Sequence, residues 1–148
     1  MKRTFAVLVA LTLFSVPAFA GGLEDFLGSL NVQARADMNG FAARVSAQFE
    51  VPLANVQATI GTVREPADAF MVYQLGRMAG KPPETVVRTY QKNQGKGWGV
   101  IAKSLGIKPG SPAFHALKRG DFALTGAPAG AADQGHGQGK GKGKGHNK

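Results

Sequence analysis

Three histidines, nine carboxylates and no cysteine bound the chemistry open to this chain of 148 residues. Without a thiol there is no cysteine nucleophile, no C-x-x-C-H haem attachment, no cysteine-bound iron–sulfur cluster and no thiolate zinc site. His136 and His146 fall in a carboxyl-terminal stretch with no third ligand beside them, which is short of what a metal needs. His115 stands in a region of regular apolar spacing, but no G-x-S-x-G elbow, H-E-x-x-H helix or phosphate loop accompanies it. It reads as a surface or packed histidine, and an enzymatic alternative would have to centre on it without an assignable class. Ser111, between Pro109 and Pro112, reads as a helix cap rather than a nucleophile. Glu24 with Asp25, and Glu65 with Asp68, are carboxylate pairs whose closeness in sequence suits the first turn of a helix, and neither pair is obliged to face a cleft. No catalytic residue, metal site or cofactor is expected.

Binding chemistry is better supplied. The 18 bases and 9 acids are unevenly placed. Residues 21–80 carry a net −2, residues 81–120 carry eight bases against Glu84 alone, and residues 121–148 carry a net +2. A basic stretch beside an acidic one suits one face turned toward an anionic partner. The side chains expected to engage it are Arg88, Lys92, Lys96, Lys103, Lys108, Lys118 and Arg119. Lys140, Lys142 and Lys144 in the tail would assist them, and so would Trp98, the single tryptophan. Trp98 also shares a helical face with Ile101, Ala102 and Leu105, and so reads first as a core anchor and second as a binding residue.

The amino end specifies an address. Lys2 and Arg3 precede an apolar run from Phe5 to Phe14, Pro17 ends it, and Ala18-Phe19-Ala20 presents small residues where a signal peptidase cuts. Residues 1–20 therefore read as a cleavable signal peptide and the product as periplasmic or secreted. There is no cysteine to acylate and no Arg-Arg pair for the twin-Arg route. Loss of Lys2 and Arg3 leaves 16 bases against 9 acids, a net +7. In an oxidising compartment, a cysteine-free fold must be held by packing alone.

The elements that position these residues follow from apolar spacing, which is helical throughout and nowhere alternates over a strand length. A first short turn is expected over residues 23–30. Met38, Phe41, Ala42, Val45 and Phe49 then line one face, with Asp37 and Arg44 off it. Pro52 interrupts, and Leu53, Val56 and Ile60 face a short helix that Gly61 can close. Pro66 opens a helix whose wide face, Ala67, Phe70, Met71, Leu75 and Met78 broadened by Val72 and Tyr73, predicts the centre of the bundle. After Gly80, Pro82-Pro83-Glu84 opens a helix to about residue 94, with Val86, Val87 and Tyr90 inward and Arg88 and Lys92 outward. Trp98, Ile101, Ala102 and Leu105 make the next. Ser111-Pro112 caps a last one holding Phe114 and Leu117 and closed by Gly120.

From Asp121 onward the apolar spacing ends, and residues 135–148 consist of Gly, Lys, His, Gln and Asn. A disordered basic tail is expected over residues 121–148. The chain thus reads as an all-α domain over residues 21–120, a small orthogonal bundle of five or six short helices and a monomer.

The densest pattern runs Gly95-Lys96-Gly97-Trp98-Gly99-Val100-Ile101-Ala102-Lys103-Ser104-Leu105-Gly106-Ile107-Lys108-Pro109-Gly110-Ser111, then Phe114-His115 and Leu117-Lys118. It resembles the GxGWGxIAxxLGIKPGSxxFHxLK signature of small exported bacterial proteins of uncharacterised function, and the likeness extends upstream through Pro66-Ala67-Asp68. The resemblance implies export and a helical fold and carries no catalytic residue across. The same stretch is similar to a helix-turn-helix, which makes a nucleic-acid-binding module the rival reading. Against it, the connection through Lys108-Pro109-Gly110-Ser111 is longer than the tight turn of such readers, the second helix is short, and the export signal leads away from the chromosome. The expected function is that of an exported, non-catalytic binding or accessory protein. Its basic half would engage an anionic envelope component, such as a lipid head group or polymer, or an acidic protein.

Overall fold

A computed structural model describes residues 21–126, which form seven α-helices and, among the described residues, no strand. The expected signal peptide and the residues from 127 to 148, with Lys140, Lys142, Lys144, His136 and His146, lie outside the described residues. The helices are α1 (Gly21–Ala36), α2 (Met38–Phe49), α3 (Leu53–Thr62), α4 (Pro66–Ala79), α5 (Pro83–Lys92), α6 (Trp98–Ser104) and α7 (Pro112–Arg119). None is long and apolar enough to cross a membrane.

Packing of α4 organises the rest. Ala67, Ala69, Phe70, Met71, Val72 and Leu75 are all fully buried, so this helix is covered nearly all round, as its wide apolar face predicts. Pro66 at its first position supplies a preset φ and lacks an N–H that would have had no partner. Gly80 ends it at φ 62°, where a residue with a Cβ is strained. Phe70 is the hub: its ring meets Phe26 of α1 at 5.3 Å and Phe49 of α2 at 5.4 Å, both edge to face. Helices α5, α6 and α7 follow one another along the bundle, and α7 returns to α1. Among the described residues no polar or charged residue is buried, consistent with a fold held without disulfides.

The structure departs from the sequence reading in four places. Helix α1 spans sixteen residues rather than one turn over 23–30. Ala34, fully buried, extends the face of Leu27 and Leu30 by another turn, and a small residue gives little apolar signal in a sequence window. The helices therefore number seven among the described residues, not five or six. Met38 and Leu53, expected inward, are 40% and 42% exposed. Both are the first residue of their helix, where the face has not yet turned onto the core.

The fourth departure concerns residues 121–126, placed by sequence in the tail. Leu124 is buried, Phe122 packs edge to face on Phe26 at 6.0 Å, and two polar side chains of α2 hold the strap. The Arg44 guanidinium donates to the Leu124 carbonyl. Gln48 donates from Nε2 to the Ala123 carbonyl at 2.8 Å, and its Oε1 accepts from the Thr125 and Gly126 amides at 2.7 and 3.2 Å. The ordered domain thus continues past Gly120. With only Phe122 and Leu124 as apolar contacts, the strap offers no periodicity to read.

One residue carries backbone strain without need. Glu50 caps α2 at φ 55°, ψ 43°, a left-handed conformation that costs an L-residue roughly 1–2 kcal/mol against glycine's entropic cost of about 0.5–1. Glu50 is exposed, and its side chain makes no hydrogen bond or ion pair among the described residues. Glu50→Gly is expected to stabilise the fold by about 0.5–1 kcal/mol, read as a higher urea midpoint at unchanged slope.

Candidate functional site

The carboxyl-terminal signature turns out to be mostly architecture. Trp98, Ile101, Ala102, Leu105, Ile107 and Leu117 are buried. Gly97, at φ 85°, starts α6, and Gly106, at φ 94°, turns the chain out of it while the Ile107 amide donates back to the Ala102 carbonyl at 3.0 Å. The Ser111 hydroxyl accepts from the Phe114 amide at 3.2 Å, the cap its position before Pro112 predicts. Helices α6 and α7, of seven and eight residues, pack against each other across residues 105–111. That connection is longer than the three or four residues of a helix-turn-helix. His115 is exposed on α7 and lines none of the concavities described below.

What the signature leaves outside is positive charge. Lys92, Lys96, Lys103 and Lys108 are exposed, and among the described residues no carboxylate pairs with any of them. Arg88 is exposed and, among the described residues, donates only to the Thr85 hydroxyl, at 3.3 Å. Lys118 is likewise exposed on α7. Arg119 is committed elsewhere, its Nε 2.6 Å from an Asp121 oxygen. Trp98 leaves the expected surface set: it is 8% exposed and stacks on Tyr90 with ring centroids 5.3 Å apart. The basic residues come from α5, α6, α7 and their connections, three helices that pack in succession.

A second feature was not legible in the sequence. The amino-terminal half of α1, the turn before α4 and the loop between α5 and α6 enclose an open cleft of about 490 Å³. Tyr90 and Trp98, stacked on each other, are among its lining residues. The Tyr90 hydroxyl donates to Asp68 Oδ2 at 2.8 Å and accepts from the Arg64 amide at 3.1 Å, while Asp68 Oδ2 also accepts from the Glu65 amide at 3.3 Å. Asn31 Oδ1 accepts from the Ala67 amide at 2.9 Å, joining α1 to the first turn of α4. Glu24 and Glu65 stand on the rim, Glu65 paired with Arg35 at 3.0 Å. Carboxylates that look like two separate helix starts in sequence thus meet at one cleft, although Asp25 is not among its lining residues. Only the tertiary contact of α1 with α4 brings them together.

Another concavity, of about 460 Å³, lies between α3 and α5 and is more apolar. Tyr73 borders it, its hydroxyl 2.9 Å from that of Thr59.

Both tyrosines of the chain are pushed toward the neutral form. Burial pushes the Tyr90 phenol up to about 12, opposed by the Arg64 amide bond and reinforced by Asp68. Burial likewise raises Tyr73, against the lowering bond from Thr59. An acid whose folded pKa lies above its unfolded value contributes stability that is whole below pH 10 and is lost as pH climbs through the folded value. Ultraviolet titration should therefore show less phenolate at pH 10 in the folded protein than in the unfolded chain, and stability should fall between about pH 10 and 12 as Tyr90 resists ionisation. Tyr90→Phe should lessen that alkaline fall.

No family model, no curated protein and no solved structure matches the chain.

Proposed function

We propose that this protein is an exported, non-catalytic binding or accessory protein that engages an anionic partner, either a polymer or surface of the cell envelope or an acidic protein, through its basic carboxyl-terminal half. The observation that carries the reading is the row of exposed cations at Lys92, Lys96, Lys103 and Lys108 with no acid paired to them among the described residues. A protein that kept these charges only for solubility gains as much from interspersed signs. Eight bases against Glu84 over residues 81–120 instead produce a one-signed field that concentrates polyanions and steers their approach. Address and charge support one another, because the leader-like residues 1–20 point to a compartment rich in anionic lipid and wall polymer.

The mechanism is electrostatic. Each exposed ammonium that replaces a condensed counterion on the partner releases that ion, and binding is thereby paid for largely by solvent entropy. A direct test is retention of the purified protein on immobilised lipopolysaccharide, wall polymer and DNA. The reading expects elution by moderate salt from at least one of them. Passage through all three at low salt would remove it.

A further inference from the structure

The structure assigns a second, independent binding site: we propose that the cleft over Trp98 takes an uncharged, hydroxyl-rich ligand, a sugar unit of an oligosaccharide. The starting point is an unused donor. Trp98 is 8% exposed, and its indole N–H has no acceptor among the described residues. No fully enclosed side-chain nitrogen or oxygen of the described residues lacks a partner, so this N–H keeps contact with solvent, and Trp98 lines the cleft. An indole N–H can only donate, so a ligand that covers it must bring an acceptor.

The other lining groups demand both roles from the same ligand. Glu24 is exposed, with no cation or donor upon it among the described residues, and it can only accept. The Arg64 guanidinium, with no carboxylate partner, can only donate. The Gln94 carboxamide, which has no partner among the described residues, can do either. A carboxylate or phosphate would satisfy the indole and Arg64 but face Glu24 and Asp68 as like charges. An ammonium would satisfy the two acids but meet Arg64 and the indole N–H with nothing to offer them. A hydroxyl donates once and accepts twice, so a ring carrying several meets all of these groups without burying an unpaired charge. A volume of about 490 Å³ lies within the roughly 300–1,000 Å³ of small-ligand sites. Leu27, Ile101 and the exposed edges of Tyr90 and Trp98 supply the apolar part of the lining.

Because Trp98 is the only tryptophan, its emission reports on this cleft alone. The test is a fluorescence titration of the purified protein with cellotetraose, chitotetraose, tetragalacturonate and spermidine. The expected result is a saturable change with one of the two neutral tetrasaccharides and none with the acid or the amine. Glu24→Gln should weaken that binding about tenfold, the worth of a hydrogen bond to a charged group. Gln94→Ala should weaken it about threefold, and both variants should keep the parent Tm because both side chains are exposed. Saturation by spermidine or tetragalacturonate in place of the sugars would overturn the proposal. So would no saturation by either neutral sugar at millimolar concentration, or parent affinity in both variants.

Discussion

Phe70→Ala should destabilise the domain by about 3–5 kcal/mol, the largest effect expected of a single substitution here. The ring is fully buried and stands between Phe26 of α1 and Phe49 of α2. Truncation therefore opens a cavity at the meeting point of three helices. Domains of this size have about 5–15 kcal/mol in all, so the variant would keep between most and none of its stability. A fall in Tm of more than about 10 °C is expected from thermal unfolding followed by circular dichroism. Val32→Ala on the same bundle, at a side chain 66% exposed, should stay within about 0.5 kcal/mol of the parent. A small loss at Phe70 would mean that the aromatic cluster is not the centre of the core.

The second large effect concerns binding rather than folding. Replacing Lys92, Lys96, Lys103 and Lys108 together by Gln should weaken affinity for a polyanion on the order of 10²- to 10³-fold near physiological salt. Each contact contributes close to one released counterion, and four are removed. The slope of log affinity against log salt should become shallower by about 3–4 in the same variant. Stability should not fall, because none of the four has a carboxylate partner among the described residues. Relief of like-charge repulsion acts in the opposite direction. Arg35→Gln is the matched control: it removes one exposed cation from the acidic half, where Glu65 already neutralises it. Its effect on affinity should be slight. Loss of affinity in both variants alike would place the partner elsewhere.

Why one set of features was legible and another was not follows from the range of the interactions. The central helix could be read because Ala67, Phe70, Met71 and Leu75 repeat at helical spacing between Pro66 and Gly80, all within one short window. The cap at Ser111 and the break at Gly106 are equally local. Ala34 escaped because burial of a small residue leaves almost no hydropathy signal, and Met38 and Leu53 misled because an apolar residue at the start of a helix need not face inward. The strap over 121–126 depends on Arg44 and Gln48, polar residues whose off-stripe positions mark them as surface until the returning chain covers them.

The cleft was the least accessible of all. Glu24, Asp68 and Tyr90 belong to three helices, and each has a sufficient local explanation in its own turn. What the sequence does carry is charge. The excess of lysine over residues 81–120 needs no tertiary information to be seen, and the structure adds that α5, α6 and the connections before and after α6 hold four of these lysines exposed, with no carboxylate paired to any of them among the described residues.

The central claim, an electrostatic grip by those helices on an anionic partner, is tested most directly by one titration. Affinity of the purified protein for lipopolysaccharide, wall polymer and DNA should be measured across about 50–200 mM salt, the range over which counterion release is readily resolved. The account predicts that affinity for at least one of the three falls steeply and linearly on logarithmic axes. Affinity indifferent to salt, or no binding to any of them at the lowest salt, would contradict it.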